Sequence, residues 1–174
     1  MSVTIERFDV AQFEQHFDEF VTLLCNVVDH GGSVNFLAPL SRDESAAYWR
    51  RVLADLPGGT RILLAARDEG VLVGSVQLAL GDGNRTGPHR AEVQKLFVHS
   101  DHRGQGIARQ LMIAIEGQAR AHQRTLLVLD TERGSHAETL YERLGYQRVG
   151  IIPGCVLNTQ RELTDAVIFY RQLE

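Results

Sequence analysis

The sequence predicts a mixed α/β fold, a central sheet with helices packed on it. Three patterns predict it. Apolar residues alternate between strand-like runs and stripes of helical spacing along the chain. Ile62 to Ala66 and Val71 to Leu80 flank the turn residues Asp68-Glu69-Gly70, as in an antiparallel hairpin. A strand, helix, strand succession from Ala91 to Asp130 then requires one parallel pair, because that crossover returns the chain in the same direction.

Each element has its own local reason. Val3, Ile5 and Phe8 suggest a short first strand, and Phe13, Phe17, Phe20, Val21, Leu24 and Val28 recur at three- and four-residue spacing as one amphipathic helix, ended by His30-Gly31-Gly32-Ser33. Ser41 with Glu44 reads as a capping box opening a second helix, with the stripe Tyr48, Val52 and Leu56 stopped by Pro57-Gly58-Gly59. After the hairpin comes a polar loop from Gly81 to His89. Ala91 to Val98 reads as a strand, Gly104 to His122 as a helix and Leu126 to Asp130 as the next strand. Ser135 with Glu138 caps a further helix through Leu144, Gly145 closes it, and Tyr146 to Ile151 and Ala166 to Tyr170 supply two late strands.

With 174 residues, the chain is expected to form a single domain over 1–174. Hydrophobic residues at 44 % and charged residues at 23 % match a folded globular chain. No apolar run approaches the ~20 residues that cross a bilayer, so no membrane partner is expected. Glu6, Arg7 and Asp9 interrupt any secretory apolar region, and two cysteines are too few for a disulfide framework, so the expected location is cytoplasmic. The net charge of -4 disfavours nucleic acid as a partner.

The chemistry concentrates between Gln94 and Leu111. There a strand turns through Gly104 and Gly106 into a helix, whose first N–H groups lack intrahelical partners and sit at the positive end of the dipole, a place for an anion such as a pyrophosphate. Small residues at 104, 106 and 108 let phosphate oxygens approach the backbone, and Arg103 adds a cation. Glycines alone equally fit a turn that binds nothing. A dinucleotide site is the rival, with Asp130 near the place of a ribose-binding acid, but Arg109 stands where G-x-G-x-x-G needs a small residue.

Arg103-Gly104-Gln105-Gly106-Ile107-Ala108 resembles the R/Q-x-x-G-x-G/A acetyl-CoA loop of the GCN5-related N-acetyltransferase (GNAT) superfamily. Leu96-Phe97-Val98 resembles the strand before that loop, and Leu140-Tyr141-Glu142-Arg143-Leu144-Gly145-Tyr146 the family's later tyrosine-bearing helix. The resemblance implies a mixed, mostly antiparallel sheet with one parallel strand pair and helices on both faces. It also implies acetyl transfer from acetyl-CoA, the cosubstrate, directly to a primary amine. His30-Gly31-Gly32-Ser33-Val34, Ala91-Glu92-Val93-Gln94-Lys95-Leu96 and Leu129-Asp130-Thr131-Glu132 further resemble the tabtoxin-resistance branch, which implies a small amino-acid-like toxin or antibiotic as acceptor.

Three physical demands follow. Backbone N–H groups of Gly104, Gln105, Gly106, Ile107, Ala108 and Arg109 would hold the pyrophosphate, main-chain groups of Leu96, Phe97 and Val98 would pair with the pantetheine arm, and Ser135 is a further cofactor-side candidate. An N–H near Phe97 or Val98 would polarise the thioester carbonyl. The acceptor ammonium must lose a proton, for which Glu92 and Asp130 are candidates, either as base or as ammonium-binding groups; each equally fits a solvated strand-edge acid. Tyr141 would protonate the departing thiolate, or else is a core tyrosine on the stripe of Ala137, Leu140 and Leu144.

On the acceptor side, His30, Ser33 and Phe36, and the loop Asp82 to Arg90, are candidate pocket walls, alternatively a plain helix end and hairpin loop. Cys25 and Cys155 sit beside apolar neighbours without an adjacent histidine, so each reads as a small buried hydrophobe rather than a nucleophile. The seven histidines have no metal-ligand spacing, so no metal is expected. A non-catalytic acyl-CoA-binding module is the alternative class. The resemblance implies a homodimer through the late strands.

Overall fold

The structure, a computed structural model, describes residues 3–81 and 85–174. Seven strands form one sheet: β1 (Val3–Phe8), β2 (Arg61–Asp68), β3 (Val71–Ala79), β4 (Arg90–Val98), β5 (Leu126–Glu132), β6 (Gln147–Leu157) and β7 (Leu163–Gln172), in spatial order β1-β2-β3-β4-β5-β7-β6. All neighbours are antiparallel except β4 and β5. Five α-helices, α1 (Val10–Gln15), α2 (Phe17–Asp29), α3 (Arg42–Asp55), α4 (Ile107–Ala121) and α5 (His136–Arg143), and a short 3-10 turn at Ser100–His102 are the other regular elements of the described residues.

The helices cover both faces. On one, Ile107, Leu111, Met112, Ile115 and Ala119 of α4 and Tyr141 of α5 pack on Ile62, Leu64, Val76, Leu78, Leu127 and Leu129. On the other, Phe13, Phe20, Leu24, Val27, Trp49 and Val52 of the first three helices pack on Leu63, Ala65 and Phe97. Trp49 is fully buried, with edge-on rings of Phe13, Phe20 and Tyr48 at 5.0 to 5.6 Å.

Four expectations need correction. The first helix is two: α1 starts at an Asp9 cap with a reciprocal box to Gln12, and the backbone leaves helical geometry at His16 (φ -108, ψ 14) before α2 begins. The helix expected from Gly104 starts at Ile107, since Gly104 and Gly106 adopt φ +76 and +79, outside the right-handed helix. The late strands run longer than their apolar cores: β6 carries Pro153 without losing a ladder bond on its outer side, because it is the sheet edge. Cys155 lies on that edge and is exposed, against the expected burial.

The β4–β5 seam positions the site. Only Arg90, Ala91 and Glu92 pair with Leu126, Leu127 and Val128; beyond them the strands separate. Opposite the seam, β4 carries one extra residue against β3, since Ser75 faces Phe97 while Gln77 faces Gln94, and Lys95 takes φ +52 within that bulge. The bulge turns β4 with β3, while β5 stays paired to β7 along its whole length.

Trp49→Ala removes the centre of the aromatic cluster. The expected loss is about 3 to 5 kcal/mol of folding free energy, read as a lower urea midpoint with an unchanged slope.

Candidate active site

An open cleft of about 200 Å³ fills the gap between the diverging strands, and Ser33, Glu92, Lys95, Leu96, Asp130 and Tyr141 are among its walls. Strand alternation sets which side each residue takes. Leu127 and Leu129 face the α4 core, so Val128 and Asp130 face the other side; Glu92, in register with Val128, shares it. Asp130 stands two residues, roughly 7 Å, further along its strand. Both carboxylates are exposed to solvent.

Tyr141 enters from the opposite face. Its ring is buried among Tyr146 and Phe169, with centroids at 5.7 and 5.9 Å. Burial, with a smaller push from the Asp130 charge, raises its hydroxyl far above the usual tyrosine range, so it stays protonated. The cleft therefore passes through the sheet, with acids on one face and a weak acid on the other.

Lys95, which sequence reasoning left without a role, also lines the cleft. Its Nζ donates to the Val34 carbonyl at 2.7 Å and sits 5.5 and 5.7 Å from the ring centres of Phe36 and Tyr48. Desolvation lowers its pKa below the ordinary lysine value, while the Asp130 and Glu92 charges oppose that shift. Its location on the acceptor side follows from the bulge, a feature apolar patterning does not reveal.

The turn after β4 leaves the start of α4 open. α1, α3 and α5 begin with a side-chain cap, but α4 begins at Gly106 with no side-chain cap bond and no acidic residue in its first turn. A Cβ placed at Gly104 or Gly106 would meet nothing within 4 Å, so the turn is open at both glycines, and the first N–H groups of α4 have no intrahelical partner. Arg109 is exposed on the first turn of α4. The residues present thus fit a pyrophosphate.

Several predicted residues are placed differently from the simplest expectation. The Arg103 guanidinium donates to the carbonyls of His30 at 3.0 Å and Val98 at 3.4 Å, clasping the turn to the end of α2. Asn26 strengthens the clasp, accepting from the Ser100 N–H at 3.0 Å and donating to its hydroxyl at 3.1 Å. His30 therefore belongs to this clasp and not to the cleft wall, while Phe36 reaches the site through Lys95. Ser135 caps α5, with its hydroxyl 3.0 Å from that of Thr131. Of the loop considered as a pocket wall, residues 82–84 lie outside the described residues. Burial raises the Cys25 thiol above its ordinary value, which opposes a thiolate nucleophile. Among the described residues no cluster of three or more metal-ligating side chains occurs, and no helix is long and apolar enough to cross a membrane.

The family model described as "Acetyltransferase (GNAT) family" matches residues 33–146. This chain belongs to the GNAT family. An uncharacterized N-acetyltransferase from the hisH-hisA intergenic region of Azospirillum brasilense is 35% identical over 133 residues, covering 74% of each chain. An N-acetyltransferase from Staphylococcus aureus Mu50 superposes with a TM-score of 0.81 at 15% identity over 100% of both chains. YncA of Salmonella typhimurium, a putative acetyltransferase solved with acetyl-CoA, gives 0.79 at 19% identity, covering 100% of this chain and 95% of its own. The seven-stranded sheet with its single parallel pair is the GNAT fold, and family membership makes the chain an acetyl-CoA-dependent N-acetyltransferase.

Gly106→Val places a branched side chain in the open space before α4. CoA affinity measured by calorimetry is expected to fall about tenfold or more, equivalent to ~1.4 kcal/mol.

Proposed function

We propose that this GNAT chain, acting as one domain across 1–174, transfers the acetyl group of acetyl-CoA directly to the primary amine of a small molecule. The observation that carries the reading is the through-sheet cleft, with Glu92 and Asp130 on one face and the protonated Tyr141 hydroxyl on the other. The pyrophosphate would rest on the N–H groups of 104–109, with Arg109 beside it. The pantetheine would run along Leu96, Phe97 and Val98, whose main chain lacks a strand partner on the β5 side. Arg103 serves this site by fixing the turn, and Ser135 by anchoring α5 behind Tyr141.

The acceptor ammonium would sit against Glu92 and Asp130, and one of the two, directly or through water, would take its proton. The neutral amine would attack the thioester carbonyl, polarised by an N–H at Phe97 or Val98. Tyr141 would donate its proton to the leaving sulfur, a step for which a raised hydroxyl pKa is suited because the donor is always loaded at neutral pH. Ser33 and the Phe36 ring would border the acceptor.

We read the acceptor as a small amino-acid-like toxin or antibiotic and the chain as close to the tabtoxin-resistance branch. The support is the stretches His30–Val34, Ala91–Leu96 and Leu129–Glu132 in the sequence. We place its work in the cytoplasm, in keeping with two unpaired cysteines. A homodimer through the late strands is supported by the exposed apolar side chains Val149, Ile152, Leu157 and Leu163 on β6 and β7. Sedimentation is expected to give a dimer that Ile152→Glu converts to monomer.

Free-thiol release with acetyl-CoA and a panel of amino acids, dipeptides, aminoglycosides and polyamines tests the reading. Release is expected with one acceptor class, and Glu92→Gln or Asp130→Asn is expected to lower kcat roughly 10²-fold or more for whichever residue is the base. The Tyr141→Phe deficit is expected to stay flat from neutral to mildly alkaline pH, because a raised pKa keeps the hydroxyl protonated throughout. CoA binding without release from any amine would contradict the proposal.

A further inference from the structure

Seventeen of the 18 basic residues are arginine, and Lys95 is the only lysine in the chain. A chain of an amine-acetylating family thus carries one side-chain primary amine, and that amine opens onto the acceptor side of the cleft. The setting is the one a cationic acceptor needs. Aromatic faces of Phe36 and Tyr48 lie within 6 Å of Nζ, and the Glu92 and Asp130 charges act on it. Lys95 thus brings a side-chain ammonium to the acceptor side of the cleft in the free enzyme.

We propose that Lys95 is itself an acetylation site, taking the acetyl group from bound acetyl-CoA when no acceptor amine is present. The inference rests on the reading of the cleft given above. In the step, the Lys95 ammonium gives a proton to a cleft carboxylate, and the neutral Nζ attacks the thioester carbonyl carbon. The C–N bond forms, the C–S bond breaks, and CoA leaves as the thiol after taking one proton. Nothing is oxidised or reduced, and acetyl-CoA is the only co-reactant.

Two further observations favour the step. Desolvation, with help from the Arg61 charge and against the Asp130 and Glu92 charges, shifts Lys95 toward its neutral, nucleophilic form. Among the described residues Nζ makes one hydrogen bond, to the Val34 carbonyl, and rotation of a four-carbon stem releases it. Acetylation would remove the positive charge facing Glu92 and Asp130 and end both cation–aromatic contacts, so it would change the acceptor that the cleft takes.

Intact-mass analysis and peptide mapping of the full chain after incubation with acetyl-CoA alone test this, since a single lysine makes the assignment unambiguous against the amino terminus. The expected result is one acetyl group on Lys95, none in Lys95→Arg, at least tenfold slower labelling in the Glu92→Gln, Asp130→Asn double variant, and suppression by an added acceptor amine. Calorimetric CoA binding checks that each variant is folded. Unlabelled Lys95 in a preparation that releases thiol with an added amine would overturn this inference and leave the proposed function standing. Equal labelling of the double variant would overturn it as ordinary chemical acetylation. Neither labelling nor thiol release, with CoA bound, would overturn both.

Discussion

The three-residue seam between β4 and β5 is the constraint on which the site depends. A parallel pair inside a sheet normally continues until one strand ends, yet here pairing stops after Glu92 and Val128 while both strands go on. Two commitments enforce the stop: β5 is bound along its full length to β7, and β4 is turned away by the bulge at Lys95. The sheet becomes two halves joined at one end. Its opening leaves strand main chain facing a gap instead of a neighbour, which is the condition for an extended arm to pair there.

The same opening lets two chemistries meet that a continuous sheet would keep apart. Successive side chains of one strand point to opposite faces of the sheet, which have different surroundings here. Glu92 and Asp130 stay solvated on one face, while Tyr141 is buried on the other, where desolvation holds its proton. A group that must lose a proton and a group that must gain one can then be served from opposite sides. The clasp of Arg103 and Asn26 on α2 fixes the turn that leads from β4 into α4.

Much of this was legible before any coordinates. The hairpin, the crossover and the glycine turn are local patterns, and β2, β3, β4 and α4 follow them closely because apolar period and turn chemistry agree there. Glu92, Asp130 and Tyr141 were visible through the motif and come to one cleft. What escaped the sequence was geometry with no pattern. Lys95 owes its place to an inserted bulge residue, Arg103 to carbonyls of a helix 73 residues away, and the break at His16 is a change of backbone angles within one unbroken apolar stripe. Cys155 was expected inside because its neighbours are apolar, but on an edge strand apolar neighbours are also exposed.

The central claim is that the β4–β5 opening is the cofactor and reaction cleft, and a crystal structure of the CoA complex tests it most directly. The account predicts pyrophosphate on the N–H groups of 104–109 and the pantetheine hydrogen-bonded to the main chain of Leu96 to Val98, with its sulfur beside Tyr141. CoA bound elsewhere, with the opening between β4 and β5 filled only by water, would contradict it.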